Sequence, residues 1–329
     1  MSLAIEKQEN QKSTMQTVVR SKGALPALIG RNVKMFFKDK GTFFTSLITP
    51  IILLVLYSTF LYNVYKDSFL TVLGEFSVDE KQVDGLVGGL LLSALLAVST
   101  VTVSFCANLF MVQDKVTGAR NDFDVSPTRV QTISASYYFA TAINGLLISF
   151  CATLIGLVYL AFNGWYLSFF DVLALFLDVV LLVMFGTALS SLICYPLSSQ
   201  GQLSAVGTIV SAGYGFICGA YMPISSFGET LRNVLSFFPG TYGTSLLRNH
   251  ALRGVLEKMG NSGIPEQAVE AVKDIADCNL YFFGDKVEIW VCYLVLGASL
   301  LLLVGGYLTL TYFMSKKRVK GREKQTKLK

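Results

Sequence analysis

Residues able to do chemistry are few in this chain and scattered. There is one histidine, His250, and six cysteines stand singly with no C-x-x-C spacing. Cys106, Cys151, Cys194, Cys218 and Cys292 fall in or beside apolar runs, and only Cys278 lies in a polar stretch, so no disulfide within a loop is available. Zinc needs clustered His, Cys or carboxylate ligands, and an acyl-transfer triad needs a histidine beside a nucleophile and an acid. Neither pattern occurs, and neither does a G-x-x-x-x-G-K-[ST] phosphate loop, an aspartyl-phosphate motif or a haem motif. What remains is a pair of carboxylates, Asp171 and Asp178, seven residues apart on one helical face.

The stretch around that pair explains why it is notable. Of 329 residues, 53% are hydrophobic and 15% charged, with mean hydropathy +0.55. Soluble domains carry about 25% charge. Residues 43–62, 85–113, 130–170, 179–228 and 289–315 contain no Asp, Glu, Lys or Arg. A helix of roughly 20 apolar residues crosses about 30 Å of hydrocarbon, so these runs predict an all-α polytopic membrane protein.

The 130–170 run holds 41 residues, too long for one crossing, and Asn163-Gly164-Trp165-Tyr166 breaks it with residues suited to an interface. Spans are expected over 43–62, 85–113, 137–162, from 167 to before Tyr195-Pro196, 202–221 (stopped by Pro223), and 289–314. Six spans put both termini on one side. Residues 1–42 carry eight Lys/Arg and three acids, and residues 315–329 carry eight and one. The 63–84 loop is net −3 and the 222–288 loop net −2. By the positive-inside rule both termini are cytoplasmic, and no cleavable signal pattern opens the chain. The expected organisation is a tail over 1–24, an interfacial helix over 25–41, a transmembrane domain over 42–315 with an extracytoplasmic cap over 222–288, and a basic tail over 316–329. That tail reads as a topology anchor near anionic lipid; nothing like a nucleic-acid-binding module is present.

Over 25–41, Leu28, Ile29, Val33, Phe36 and Phe37 recur at helical spacing while Arg31, Lys34 and Lys38 take another face. This predicts an amphipathic helix in the cytoplasmic interface, or else a cytoplasmic extension of the first span, with Gly41 permitting the bend. The loop 113–129 is longer than a connector needs and mixes both charge signs with Phe123 and Val125. Asn121 or Asp122 is placed to cap a short helix, and Pro127 to redirect the chain. It is either a solvated loop or a docking element with Phe123 as the anchor and Asp114, Lys115, Arg120, Asp122, Asp124 and Arg129 setting register.

An acidic–basic–x–x–Gly stretch, then Ser126-Pro127, then a long span, resembles the coupling-helix region of type-2 ABC exporter permeases. A second stretch is similar to the segment after that family's fifth span: Gly219-Ala220-Tyr221-Met222-Pro223, an apolar stretch, Phe238-Pro239-Gly240-Thr241-Tyr242, and Leu246-Leu247-Arg248. The likeness covers about residues 25–315. The family's loop often reads acid–Arg–Glu–Lys–Gly–Thr, and a Gly-Lys pair commonly opens its next span. Here Asp114-Lys115-Val116-Thr117-Gly118-Ala119 and Ser136-Tyr137 stand there, which leaves the subfamily open. The resemblance implies two permease copies, two copies of a separate ATPase carrying ATP and Mg, and coupling helices seated on that ATPase. No cofactor would bind this chain.

Gly207, Ser211, Gly215 and Gly219 recur every four residues, a ridge permitting close helix approach, either within the chain or, as the resemblance favours, near a dimer axis. Gly85, Gly88 and Gly89 give a weaker signal of the same kind. Residues 233–247 are uncharged but too short to span and are interrupted at Pro239-Gly240. The resemblance suggests a re-entrant hairpin there, with Arg232 and Arg248 at headgroup level. Residues 265–276 show a helical pattern inside the polar cap.

Three functions compete on this reading. The first is the membrane subunit of an ATP-driven exporter of amphiphiles (drugs, lipids, lipopeptides or glycolipids). The second is a secondary, ion-coupled transporter using Asp178; no internal repeat or paired broken helices support it. The third is an intramembrane enzyme, which the scarcity of His and paired acids disfavours.

Overall fold

The computed structural model describes residues 23–326 apart from Glu75, Ser77 and Pro127; most of the expected 1–24 tail lies outside the described residues. Helix α1 covers 23–38. It is followed by α2 (Lys40–Leu56), a π-helical turn (Tyr57–Leu61), α3 (Tyr62–Leu73), α4 (Glu80–Val116), α5 (Ala119–Val125), α6 (Val130–Asn163), α7 (Phe169–Cys194) and α8 (Gln200–Ile217). Then come α9 (Glu229–Leu235), α10 (Pro239–Asn261), α11 (Glu266–Ile275), the hairpin β1 (Leu280–Phe282) and β2 (Asp285–Val287), and α12 (Ile289–Thr326).

Helix α4 is the axle. Every residue of its most apolar window is buried, and α2, α6, α7, α8 and α10 pack around it. Its polar residues survive there because they bond to their own helix: Ser99 donates to the Leu95 carbonyl, Thr100 to Leu96, Thr102 to Val98 and Ser104 to Thr100. The glycines at its cap end are contact points inside this chain. A Cβ on Gly88 would come 2.7 Å from Leu160 Cδ2, and one on Gly89 2.6 Å from Leu252 Cδ2.

Among the described residues, five segments are long and apolar enough to cross a membrane: Lys40–Leu73, Glu80–Val116, Val130–Asn163, Phe169–Cys194 and Ile289–Lys316. The position expected for a fifth of six spans is held by α8, 18 residues long. At 1.5 Å per residue it reaches about 27 Å.

Several boundaries differ from the sequence reading. The first span does not end at Tyr62: a π-turn carries the helix on to Leu73, so half of the expected loop is helical. The bend before it falls at Asp39, not Gly41. Asp39 Oδ1 accepts from the Thr42 amide at 3.2 Å and caps α2. The break in the 233–247 stretch falls at 236–238, between α9 and α10, just before Pro239. That proline occupies the first turn of α10, where its missing N–H is harmless, and the helix runs on to Asn261. Helix α12 continues without a break through residue 326, into the expected tail.

The cap contains α11, where the 265–276 pattern predicts it, and a hairpin the sequence reading missed. Leu280 pairs with Val287 and Phe282 with Asp285. Phe283 (φ +51°) and Gly284 (φ +97°) make the two-residue turn, whose positive φ values match strand twist.

Candidate functional site

The 113–129 loop folds into a rigid elbow at the end of α4. Gly118 (φ +82°) begins α5, in place of Asn121 or Asp122. A left-handed residue between two helices favours glycine because a side chain there meets the neighbouring carbonyl. Asp114 is buried and pairs with both terminal guanidinium nitrogens of Arg31 on α1, Nη1 donating to Oδ2 and Nη2 to Oδ1 at 3.1 Å; Tyr137 Oη on α6 donates to its Oδ2 at 2.5 Å. Lys115 Nζ donates to the carbonyls of Tyr195 and Leu197 between α7 and α8, the latter at 3.0 Å. Arg120 is buried, with its guanidinium 5.8 Å from the Tyr137 ring centroid. Phe123 is half-buried under the Arg31 guanidinium, 5.1 Å from its ring centroid.

Four of the expected register residues and anchors are therefore turned toward the chain's own interior. A long charged side chain at the end of a buried helix is held by whatever carbonyls and carboxylates surround it. Val116, Thr117, Asn121, Asp122 and Arg129 are the exposed members. Pro127 and the side chain of Asp124 lie outside the described residues.

The second motif builds a buried hub at the other end. Helix α8 closes in a Schellman turn: Ala220 N donates to Gly215 O at 2.8 Å and Gly219 N to Phe216 O at 3.3 Å, with Gly219 at φ +73°. The stop is thus Gly219 and not Pro223. Gly219 O accepts from Arg248 Nη2 at 2.6 Å, and Arg248 Nη1 lies 3.0 Å from Asp277 Oδ2. Asp277 also accepts the amides of Ile224 and Ser225, the second at 3.0 Å. Arg248 is 1% exposed, sealed inside the chain; a buried guanidinium is stable only when charge and hydrogen bonds are both met. Tyr57 Oη in the π-turn donates to Ala220 O at 2.5 Å and joins the first span to this hub.

Between these two ends runs a lateral groove of about 1430 Å³. One wall is α2 and the π-turn, with Ile48, Ile52, Leu56 and Phe60; the other is α8, with Leu203, Gly207, Ser211 and Phe216. Leu109 of α4 contributes to the lining, and Tyr221, Pro223 and Asp274 border the cap end. The four-residue ridge divides. Gly207 and Ser211 face the groove, whereas a Cβ on Gly215 would sit 2.4 Å from the Tyr221 ring and Gly219 is the helix terminator. Tyr221, folded back by that terminator, fills the notch that Gly215 leaves.

Asp178 lies elsewhere, fully buried among α7, α10 and α12. His250 Nδ1 is 2.6 Å from its Oδ2 and Tyr293 Oη donates to its Oδ1 at 2.7 Å. The histidine, 72 residues away, carried no sequence signal. Asp178 lines neither described cavity. Asp171 is also buried: it closes a capping box with Ser168 and pairs with Arg253 Nε at 2.7 Å. Burial pushes the Cys278 thiol in the cap up to about 12, so it stays protonated and unreactive. No His/Cys/Asp/Glu cluster among the described residues is suited to hold a metal.

A central buried helix, a polar elbow at one end and an apolar lateral groove beside it describe a polytopic helical membrane protein. The sequence model of the family described as ABC-2 type transporter matches residues 24–251, well over half of the chain, and the chain belongs to that family. The matched region is the membrane domain of an ABC transporter, and it contains no G-x-x-x-x-G-K-[ST] phosphate loop. It spans α1 to the middle of α10 and so contains the elbow, the groove walls and Arg248. No curated protein matches the chain.

Proposed function

We propose that this chain is the permease subunit of an ATP-driven exporter that moves an amphiphile (a drug, lipid, lipopeptide or glycolipid) out of a bacterial cell. A separate ABC ATPase, present in two copies and carrying ATP and Mg, supplies the energy. A second permease copy, identical or closely homologous, completes the pathway. The chain crosses the membrane six times, with α8 as the fifth crossing and a re-entrant hairpin over 233–247 within an extracytoplasmic cap over 222–288. Both termini are cytoplasmic, beside the elbow, and membrane lipids surround the exposed apolar faces.

The observation that carries this reading is the linkage of elbow to groove. Leu109, in the groove lining, stands five residues before Asp114 on the same helix. Asp114 is gripped by Arg31, whose helix leads through Asp39 into the opposite wall, α2. An ATPase seated on Val116, Thr117, Asn121, Asp122 and Arg129 therefore pushes the α2 wall and the α4 lining as one body, which is how small interface shifts become helix reorientation. In this arrangement Asp114, Lys115, Arg120 and Phe123 keep the elbow rigid, and the exposed residues meet the partner. Gly207 and Ser211 border the path; Gly215, Gly219, Pro223, Pro239 and Arg248 shape its cap end.

Asp178 acts as a structural tie, because both its oxygens are engaged and it is remote from the groove. The ion-coupled alternative therefore has less support than export.

The test is ATP-dependent transport in vesicles containing the chain and its ATPase. Asp122→Lys with Arg129→Glu is expected to lower ATPase association and transport at least tenfold while the melting temperature holds. Full transport by that variant, or transport driven by a proton gradient without any ATPase, would overturn the reading.

A further inference from the structure

Among the described side chains bordering the groove of roughly 1430 Å³, Asp274 is the one acidic or basic residue; the rest are aliphatic, thioether, aromatic, hydroxyl or glycine. Asp274 lies in the last turn of α11, where the negative end of the helix dipole adds to its own charge. It also borders a second, smaller chamber of about 330 Å³ in the cap, and Ser225 is common to both spaces.

The carboxylate is half used. Asn279 Nδ2 and Tyr281 Oη both donate to Oδ1, at 2.7 and 2.9 Å, and both donors are neutral. Oδ2 has no donor among the described residues, and none of their cations forms an ion pair with Asp274. Its acidic neighbours are different. Glu270 is bonded by Lys286 and Lys273, which hold its carboxyl down at about 2, and Asp277 is bound to Arg248. The nearby lysines are thus committed to Glu270. Arg232 borders the smaller chamber only.

We infer that Asp274 receives the cationic headgroup of an amphiphile whose apolar part lies in the groove between α2 and α8. This rests on the groove being a cargo site, as the proposed function has it, and adds the charge of the cargo. An ammonium presented to Oδ2 gains a charge-assisted contact beside low-dielectric walls, where screening by water is weak. An anionic headgroup meets repulsion there, and a neutral one gains neither effect.

Binding to the full-length protein in zwitterionic lipid nanodiscs tests the inference by calorimetry with three probes sharing a dodecyl tail: dodecyltrimethylammonium, dodecyl maltoside and dodecyl sulfate. The cation is expected to bind at least tenfold more tightly than the maltoside, and the sulfate most weakly. Asp274→Asn should erase the cation's advantage and leave maltoside binding unchanged. Arg232→Gln should preserve the advantage, and Gly207→Trp, which obstructs the groove, should weaken all three. Equal affinities, or a preference intact in Asp274→Asn, overturn the inference. So does strong cross-linking between copies through Phe60→Cys that no probe reduces, because the groove is then filled by a second copy. Cation-selective binding without ATP-driven transport would overturn the export reading and leave this site standing. Transport indifferent to headgroup charge would do the reverse.

Discussion

Arg31 and Asp114, 83 residues apart in sequence, form a two-nitrogen ion pair that fastens the interfacial helix to the end of the central helix. Tyr137 donates to the same carboxylate, so three helices meet on one acidic side chain. The Arg31 guanidinium also covers Phe123 and Phe110, at 5.1 and 5.3 Å from the ring centroids.

Replacing Asp114 with alanine leaves Arg31 without its partner beside two aromatic rings. A hydrogen-bonded charge lost from a mostly buried site costs about 1.5–3 kcal/mol. The purified chain should melt several degrees lower, and Arg31→Lys should recover only part of the difference, because an ammonium cannot reproduce the planar fork. Thermal unfolding in detergent, followed by tryptophan fluorescence, measures both.

Gly219→Ala is expected to be more harmful than Gly213→Ala on the same chain segment. At φ +73° a side chain costs roughly 1–2 kcal/mol, and the new Cβ would also meet Ile224 Cγ1 at 2.6 Å. Around Gly213 a Cβ finds nothing within 4 Å, so that variant should melt at or slightly above the parent temperature. Comparing the two melting temperatures is sufficient.

Asp178→Asn keeps the shape and hydrogen-bonding capacity between His250 and Tyr293 while removing the charge. Transport should persist at no less than half the parent rate if the residue is a tie between α7, α10 and α12. Asp178→Ala strands two polar groups in a buried site and should lower stability by about 1–3 kcal/mol. A transport assay and a melting curve on both variants separate a tie from a proton carrier.

The cap should loosen in acid. Lys286 and Lys273 depress the Glu270 carboxyl from 4.5 to about 2, so its contribution is fully present above the ordinary value and fades as pH falls toward 2. Hydrogen exchange over 266–287 should accelerate between pH 5 and about pH 3, after correction for intrinsic rates. Glu270→Gln should exchange faster than the parent at pH 7 and show little of that acid step.

The sequence by itself determined everything that follows from counting charge against apolar length: a helical membrane protein, where most long helices lie, and a polar loop between the second and third. Local chemistry also made the cap helix α11 and the breaks at Gly164 and Tyr195-Pro196 readable, since turn residues and periodicity act within a few residues. Tertiary structure decided which charges are free. Lys115 and Arg248 are conspicuous in sequence as exposed signals, yet both are consumed by backbone carbonyls of distant turns. His250 reads as an isolated residue until α10 brings it against Asp178, and Asp274 as an ordinary cap acid until α11 sets it at the groove. Gly219 belongs by spacing to a packing ridge but by backbone geometry to a helix terminator. Spacing reports which residues share a face; only the packed chain reports what stands opposite that face, and in a medium without water the opposite group decides whether a charge is spent or available.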